Sequence, residues 1–237
     1  MKNYLLTVIM VLIHLTSFSQ VIEPNLQDTT QWEVVNRRVT PINENGKKGI
    51  SFNELPNAGY MILKESEFSN ATIELDIKGN DKFQQSFVGF AFHGQDVNVY
   101  DAIYFRPFNF KSDDAMRRSH AVQYISMPSN DWEKLRNEFP GKYENKVEPA
   151  PGPNDWFHTK IVVNGKKVTV FVNDLEKPVL EVEKLNSYTN GGFALWVGNN
   201  SGGSFANLKI TKSTAGSAST QNTPYGNNAS APSFVVR

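Results

Sequence analysis

The chain has 237 residues, enough for one large domain or two small ones, and its 24 Lys+Arg balance 24 Asp+Glu. With no net charge, neither nucleic acid nor an anionic membrane is a favoured partner. Cysteine is absent, which excludes disulfides, thiolate catalysis and Cys-ligated zinc.

The N-terminal "MKNYLLTVIMVLIHLTSFSQ" carries one lysine, an apolar run from Tyr4 to about Leu15, and small residues around Ser17 and Ser19. This is the order of a secretory signal peptide, with cleavage expected after Ser19 and export to the periplasm or beyond. A membrane anchor is the competing reading, but the run is short for a bilayer and contains His14. No later segment is long and apolar enough to span.

From Val21 to Lys212, runs rich in Val, Ile, Phe, Tyr and Thr alternate between turn residues. Strands are expected at 32–35, 49–52, 60–64, 71–78, 86–93, 101–108, 120–127, 157–163, 167–173, 179–185, 192–198 and 205–211. Within "IVVNGKKVTVFVN", Asn164-Gly165 reads as a type I′ turn joining a β-hairpin. Only 129–139, "SNDWEKLRNEF", reads as helix, with Ser129 or Asn130 as N-cap and Pro140-Gly141 as the stop. Many strands and one short helix predict an all-β fold, a two-sheet antiparallel sandwich filling 20–212. "EPAPGPND" (148–155) reads as a stiff loop, and the small polar residues from 213 to 237 as a disordered tail.

"NDWFHTKIVVNGKKVTVFVND" followed by "GGFALWVGNNSGGSFANLKI" resembles the closing half of a concanavalin A-like (laminin-G-like) jelly roll. With "FVGFAFHGQ" and "YDAIYFRPFNF" upstream, the chain is similar to the 3-keto-disaccharide hydrolase-like branch, related to glycoside hydrolase family 16. The resemblance covers about residues 30–212. It implies a jelly-roll sandwich with a concave sheet, a fold that serves lectins, glucanases and adhesion modules alike.

Alternation places Ala102, Tyr104, Arg106 and Phe108 on one face of their strand, opposite Ile103 and Phe105. By the same rule Trp196 lies opposite Phe193, Leu195 and Val197, and His93 opposite Val88, Phe90 and Phe92. Tyr104, Arg106, Trp196 and His93 are therefore expected on outer faces, with Gln123 from "HAVQYIS" as a further candidate. An arginine fork suits vicinal hydroxyls or a carboxylate, and aromatic rings suit the apolar face of a pyranose. Whether these residues share one sheet does not follow from spacing; the family's concave sheet implies that several do. The competing reading is a paired arginine and an indole packed beneath a loop.

Retaining glucanases of the family 16 type carry two glutamates flanking an aspartate on one strand. In "IELDIKG" Glu74 and Asp76 share a face, but Lys78 and Gly79 stand where the third acid would be. The strand therefore also reads as an ordinary solvated one. If a glycoside is hydrolysed, Glu74, Asp76 and His120 are the acids and bases to test, and no nucleophile motif supports a triad. His158 reads as structural, and residues 113–118 as a solvated, mobile loop. No cofactor is required by any motif; calcium is conceivable through Asp96, Asn98 and Asp101, although their spacing also suits a plain turn. The expected partner is a carbohydrate, bound and conceivably hydrolysed, with a non-catalytic structural or protein-interaction module as the alternative.

Overall fold

In the computed structural model, residues 19–173 and 175–213 are described; the expected signal peptide through residue 18 and the expected tail from 214 lie outside them. The chain folds into two packed antiparallel sheets. The first holds, from edge to edge, β10 (Glu144–Asn145), β9 (Val122–Met127), β8 (Tyr100–Phe105), β7 (Val88–Gly94), β14 (Gly191–Val197), β5 (Gly59–Phe68) and β2 (Trp32–Val35). The second holds β13 (Leu180–Glu183), β12 (Lys167–Val172), β11 (Phe157–Asn164), β6 (Asn70–Lys78), β15 (Gly203–Ser213), β4 (Lys47–Phe52) and β3 (Val39–Glu44). In this eight-stranded sheet β1 (Ser19–Ile22) also pairs with β15.

The core lies between the sheets. Ile73, Leu75 and Ile77 of β6 and Ile161 and Val163 of β11 are buried, as are Phe90, Ile103, Phe105 and Phe193 of the first sheet. Phe105 and Phe110 meet Phe157 edge to face at 5.1 and 5.2 Å, tying one sheet to the other. β11 alternates buried and half-exposed residues, as a strand with one wet face should. In contrast, β7, β8 and β14 are buried at every residue. Their outer face carries Gly89, Ala91, Ala102, Tyr104, Ala194 and Trp196, with no charge among them.

The expected type I′ geometry is found at a different Asn-Gly pair. The type I′ Asn-Gly turn sits at Asn45-Gly46, between β3 and β4, with φ of 53° and 76°. In the β11–β12 hairpin Asn164 pairs with Lys167, so the central residues are Gly165 and Lys166. Only Gly165, at φ 59°, is left-handed there, the sign pattern of a type II′ turn. The predicted helix is present as α2 (Trp132–Glu138), capped by Asp131, whose carboxylate accepts from the Lys134 amide at 2.8 Å. The 113–118 segment is not a plain loop: Asp114 caps a single helical turn, α1 (Ala115–Arg118).

Candidate functional site

Strand register decides which side chains meet. Across the first sheet, Glu144 pairs with Gln123, Gln123 with Tyr104, Tyr104 with Gly89, Gly89 with Trp196, and Trp196 with Tyr60. These residues form one lateral row over five neighbouring strands and β5, all on the face turned away from the core. Tyr104 and Trp196 reach each other across Gly89, their ring centroids 5.0 Å apart. The Trp196 indole nitrogen is buried without a hydrogen-bond partner. At the far end the Tyr60 hydroxyl donates to the Val97 carbonyl (3.1 Å) and lies 3.3 Å from that of Tyr100.

Arg106 joins this row because β8 stops beside it. Pro107 has no N–H for the ladder and opens a 3-10 turn, Pro107–Asn109. The Arg106 guanidinium lies 4.9 Å over the Tyr104 ring. It donates to the Tyr104 hydroxyl (2.7 Å), the His120 carbonyl (2.8 Å) and the Gln123 side-chain oxygen (3.3 and 3.4 Å). Burial lowers its proton affinity, with Tyr104 and Glu144 opposing, but a guanidinium stays charged in a protein. The Tyr104 phenol is raised by burial, against the pull of Arg106, and stays neutral.

The row ends in a charged corner. Glu144, 3% exposed, accepts from Arg136 Nε (2.9 Å) and Nη2 (2.6 Å), a bidentate pair. His120 Nδ1 stands 2.8 Å from Glu144 Oε2, off the ideal hydrogen-bond direction. Arg106 Nη1 is 3.8 Å from the same oxygen. Burial lowers the His120 pKa, Arg136 and Arg106 lower it further, and Glu144 opposes them. The imidazole is therefore neutral near pH 7. With Nδ1 facing the carboxylate, the favoured tautomer leaves the Nε2 lone pair to act as a base. On α2, Trp132 and Arg136 are four residues apart and share a face, so the guanidinium lies 4.9 Å over the exposed indole.

The structure thus gathers Tyr104, Arg106, Gln123, Trp196 and His120, and corrects the rest. The expected open platform is instead a packed row: Tyr104, Arg106 and Trp196 keep between 2% and 6% of their surface, and Gln123 none. His93 leaves the face altogether. A bulge with φ 49° turns it into a buried cluster, where its Nε2 lies 2.9 Å from the Ser69 carbonyl and its Nδ1 contacts Lys184.

Glu74 and Asp76 do share a face, but it is the outer face of the eight-stranded sheet, on the far side of the sandwich from the row. Glu74 pairs with Lys209 at 3.4 Å. Asp76 accepts from Asn207 (2.6 Å) and Lys47 (2.5 Å), and its other oxygen lies 2.8 Å from His158 Nδ1. Burial would raise Asp76, yet these bonds hold it at about 2. Lys78, in the third acid's place, pairs with Glu44.

Two of the three candidate calcium ligands are engaged by protein groups. Asp96 accepts from the Asn98 and Val99 amides within its own turn, while Asp101 is buried against Tyr124 and Lys184. Among the described residues no group of three or more acids and histidines is placed to hold a metal.

Glu144, Arg136, Trp132 and Tyr60 escaped the sequence reading. Glu144 lies on a two-residue strand with no period to follow, and an isolated Glu-Asn in a charged stretch reads as surface. Arg136 and Trp132 belong to a helix whose partner sheet edge no local pattern names.

The fold is shared widely. The carbohydrate-binding module CBM66 from Bacillus subtilis matches with a TM-score of 0.56 and 16% identity, over 76% of this chain and 94% of that one. A Bacillus subtilis protein of unknown function with a galectin-like fold gives 0.54 and 12%, over 83% and 95%. The Ca2+/mannose-bound exoplasmic/lumenal domain of VIP36 gives 0.54 and 9%, over 84% and 92%. At such identities the likeness is one of fold. No match is found among curated proteins. The model of the 3-keto-alpha-glucoside-1,2-lyase-like domain matches residues 24–211, a span that includes the row and the charged corner, and the chain belongs to that family.

Proposed function

We propose that the protein is an exported carbohydrate-active sandwich that engages a saccharide along the outer face of the seven-stranded sheet. Trp196 and Tyr104 form the packed aromatic floor under the sugar ring, Arg106 offers its small solvent-facing edge to a hydroxyl, and the fully buried Gln123 holds that guanidinium in place. His120, backed by Glu144, is the general acid or base. The single observation supporting this reading is the register that aligns Tyr60, Trp196, Tyr104, Gln123 and Glu144 in one row ending at His120. The family and the carbohydrate-binding module among the similar folds agree with it.

A panel of glycans, with 3-keto-α-glucosides included, scored for binding and cleavage in one assay tests the proposal. A catalytic protein releases sugar, and His120→Asn lowers turnover by about 100-fold or more while binding persists. A lectin-like module binds without turnover and loses affinity in Trp196→Phe. The second reading, a non-catalytic structural or interaction module, is favoured by how fully protein acceptors already occupy Arg106. It predicts neither binding nor turnover, and that result would discard the carbohydrate proposal.

A further inference from the structure

The aromatic row continues beyond Tyr104. The Phe87 ring meets Tyr104 edge to face at 6.1 Å, Phe108 meets Phe87 at 5.6 Å, and Phe83 meets Phe108 at 5.6 Å. The path starts on a ring 2% exposed and ends on Phe83, which keeps 56% of its surface. There it reaches an open cleft of about 370 Å³, walled by Phe108 and edged by Asp81, Asp113, Asp114, Lys111 and Arg117.

Phe83 is exposed but held. The Arg117 guanidinium lies 4.5 Å over its ring and donates to the Phe108 carbonyl (2.9 Å) and the Asn109 side-chain oxygen (3.3 Å). Asn109 donates in turn to the His120 carbonyl, the same one that Arg106 engages. Cleft and row therefore share one hydrogen-bonded frame. The turn bearing Phe83 is pinned at two points: the Asn80 amide donates to Ser86 Oγ (2.9 Å) and the Asp81 amide to Asn154 Oδ1 (3.0 Å). A large apolar ring kept in water by these contacts is ordered in advance of whatever covers it, which lowers the entropic cost of binding.

The polar groups decide what fits. Among the described residues, the carboxylates of Asp81 and Asp113 and the ammonium of Lys111 have no hydrogen-bond or ion-pair partner. Carboxylates accept and an ammonium donates, and a hydroxyl answers both. Charges of both signs edge the cleft, so an ion of either sign meets repulsion as well as attraction. Beside an aromatic ring, a neutral polyol is the better match.

Resting on the carbohydrate reading above, we infer that the ligand is a neutral oligosaccharide that runs off the row and places a further sugar unit in this cleft. That unit covers the exposed part of Phe83, and Asp81, Asp113 and Lys111 bond its hydroxyls.

Binding is measured on the full chain by calorimetry with malto-, cello-, xylo- and galacto-oligosaccharides, each from the disaccharide to the hexasaccharide. In the series that binds, the longest members bind about tenfold tighter or more than the disaccharide. Phe83→Ala brings that ratio to about one and leaves the disaccharide affinity unchanged within about twofold. Phe83→Trp retains the ratio, and Asp113→Asn lowers it. Affinity that does not rise with length overturns the cleft assignment and leaves the carbohydrate reading standing. So does a folded Phe83→Ala protein that keeps the full ratio, or one that binds short and long members equally weakly. Binding of no member in any series overturns both.

Discussion

His93 shows how one residue can obey its strand's alternation on paper and break it in space. The bulge puts its imidazole against Lys184, which also contacts Asp101 at 3.1 Å and donates to the Tyr188 carbonyl at 2.6 Å. To accept from the Lys184 ammonium at Nδ1, His93 must be neutral with its proton on Nε2, where the Ser69 carbonyl takes it. Burial and then the Lys184 charge lower its pKa from 6.5 to about 4. Between those values the unfolded chain binds a proton that the folded chain refuses. Stability therefore falls as pH drops from about 6.5 to 4, by up to about 3 kcal/mol. Asp101, raised by burial, acts in the opposite sense at the acid end. His93→Gln should flatten the pH dependence of the urea midpoint in that window; an unchanged slope would show that His93 is not the titrating group. The face of Glu74 and Asp76 was legible at this scale. Which sheet that face belongs to was not, because alternation relates neighbours along one strand only.

At the scale of elements the sequence was most informative. All twelve expected strands are present, because period-two apolar runs bounded by turn residues describe a half-buried strand directly. The strands missed, β1, β3 and β10, have weak apolar alternation and take their place by pairing with stronger neighbours. The Asn-Gly pairs at 45–46 and 164–165 show where local rules end. Asn45-Gly46 forms the I′ turn that the dipeptide favours, whereas the β11–β12 register moves the other turn one residue on. A Cβ added at Gly46 would meet nothing within 4 Å, so Gly46→Ala isolates the backbone cost of φ +76°. It should lower unfolding free energy by about 1–2 kcal/mol in urea titration. An unaffected midpoint would mean that the turn relaxes.

For the whole molecule, stability is expected to rest on the sheet-to-sheet seam more than on α2 at its edge. Phe105 is fully buried and meets Phe157 of the opposite sheet, so Phe105→Ala should cost about 3–5 kcal/mol. Trp132, 44% exposed on α2, should change stability by about 0.5 kcal/mol when replaced by alanine. Thermal melts of the two variants side by side test this division; comparable losses would mean that α2 belongs to the structural core.

The sequence by itself determined the all-β class, the strand inventory and the outward parity of Tyr104, Arg106 and Trp196, because side-chain direction alternates with a period that any reader can count. Only the tertiary structure decided that Trp196, Tyr104 and Gln123 align with Glu144, and that Glu74 and Asp76 fall on the opposite side. Antiparallel register joins strands up to about 190 residues apart. It is set by the packing of whole sheets and by bulges such as the one at His93, which no local pattern encodes.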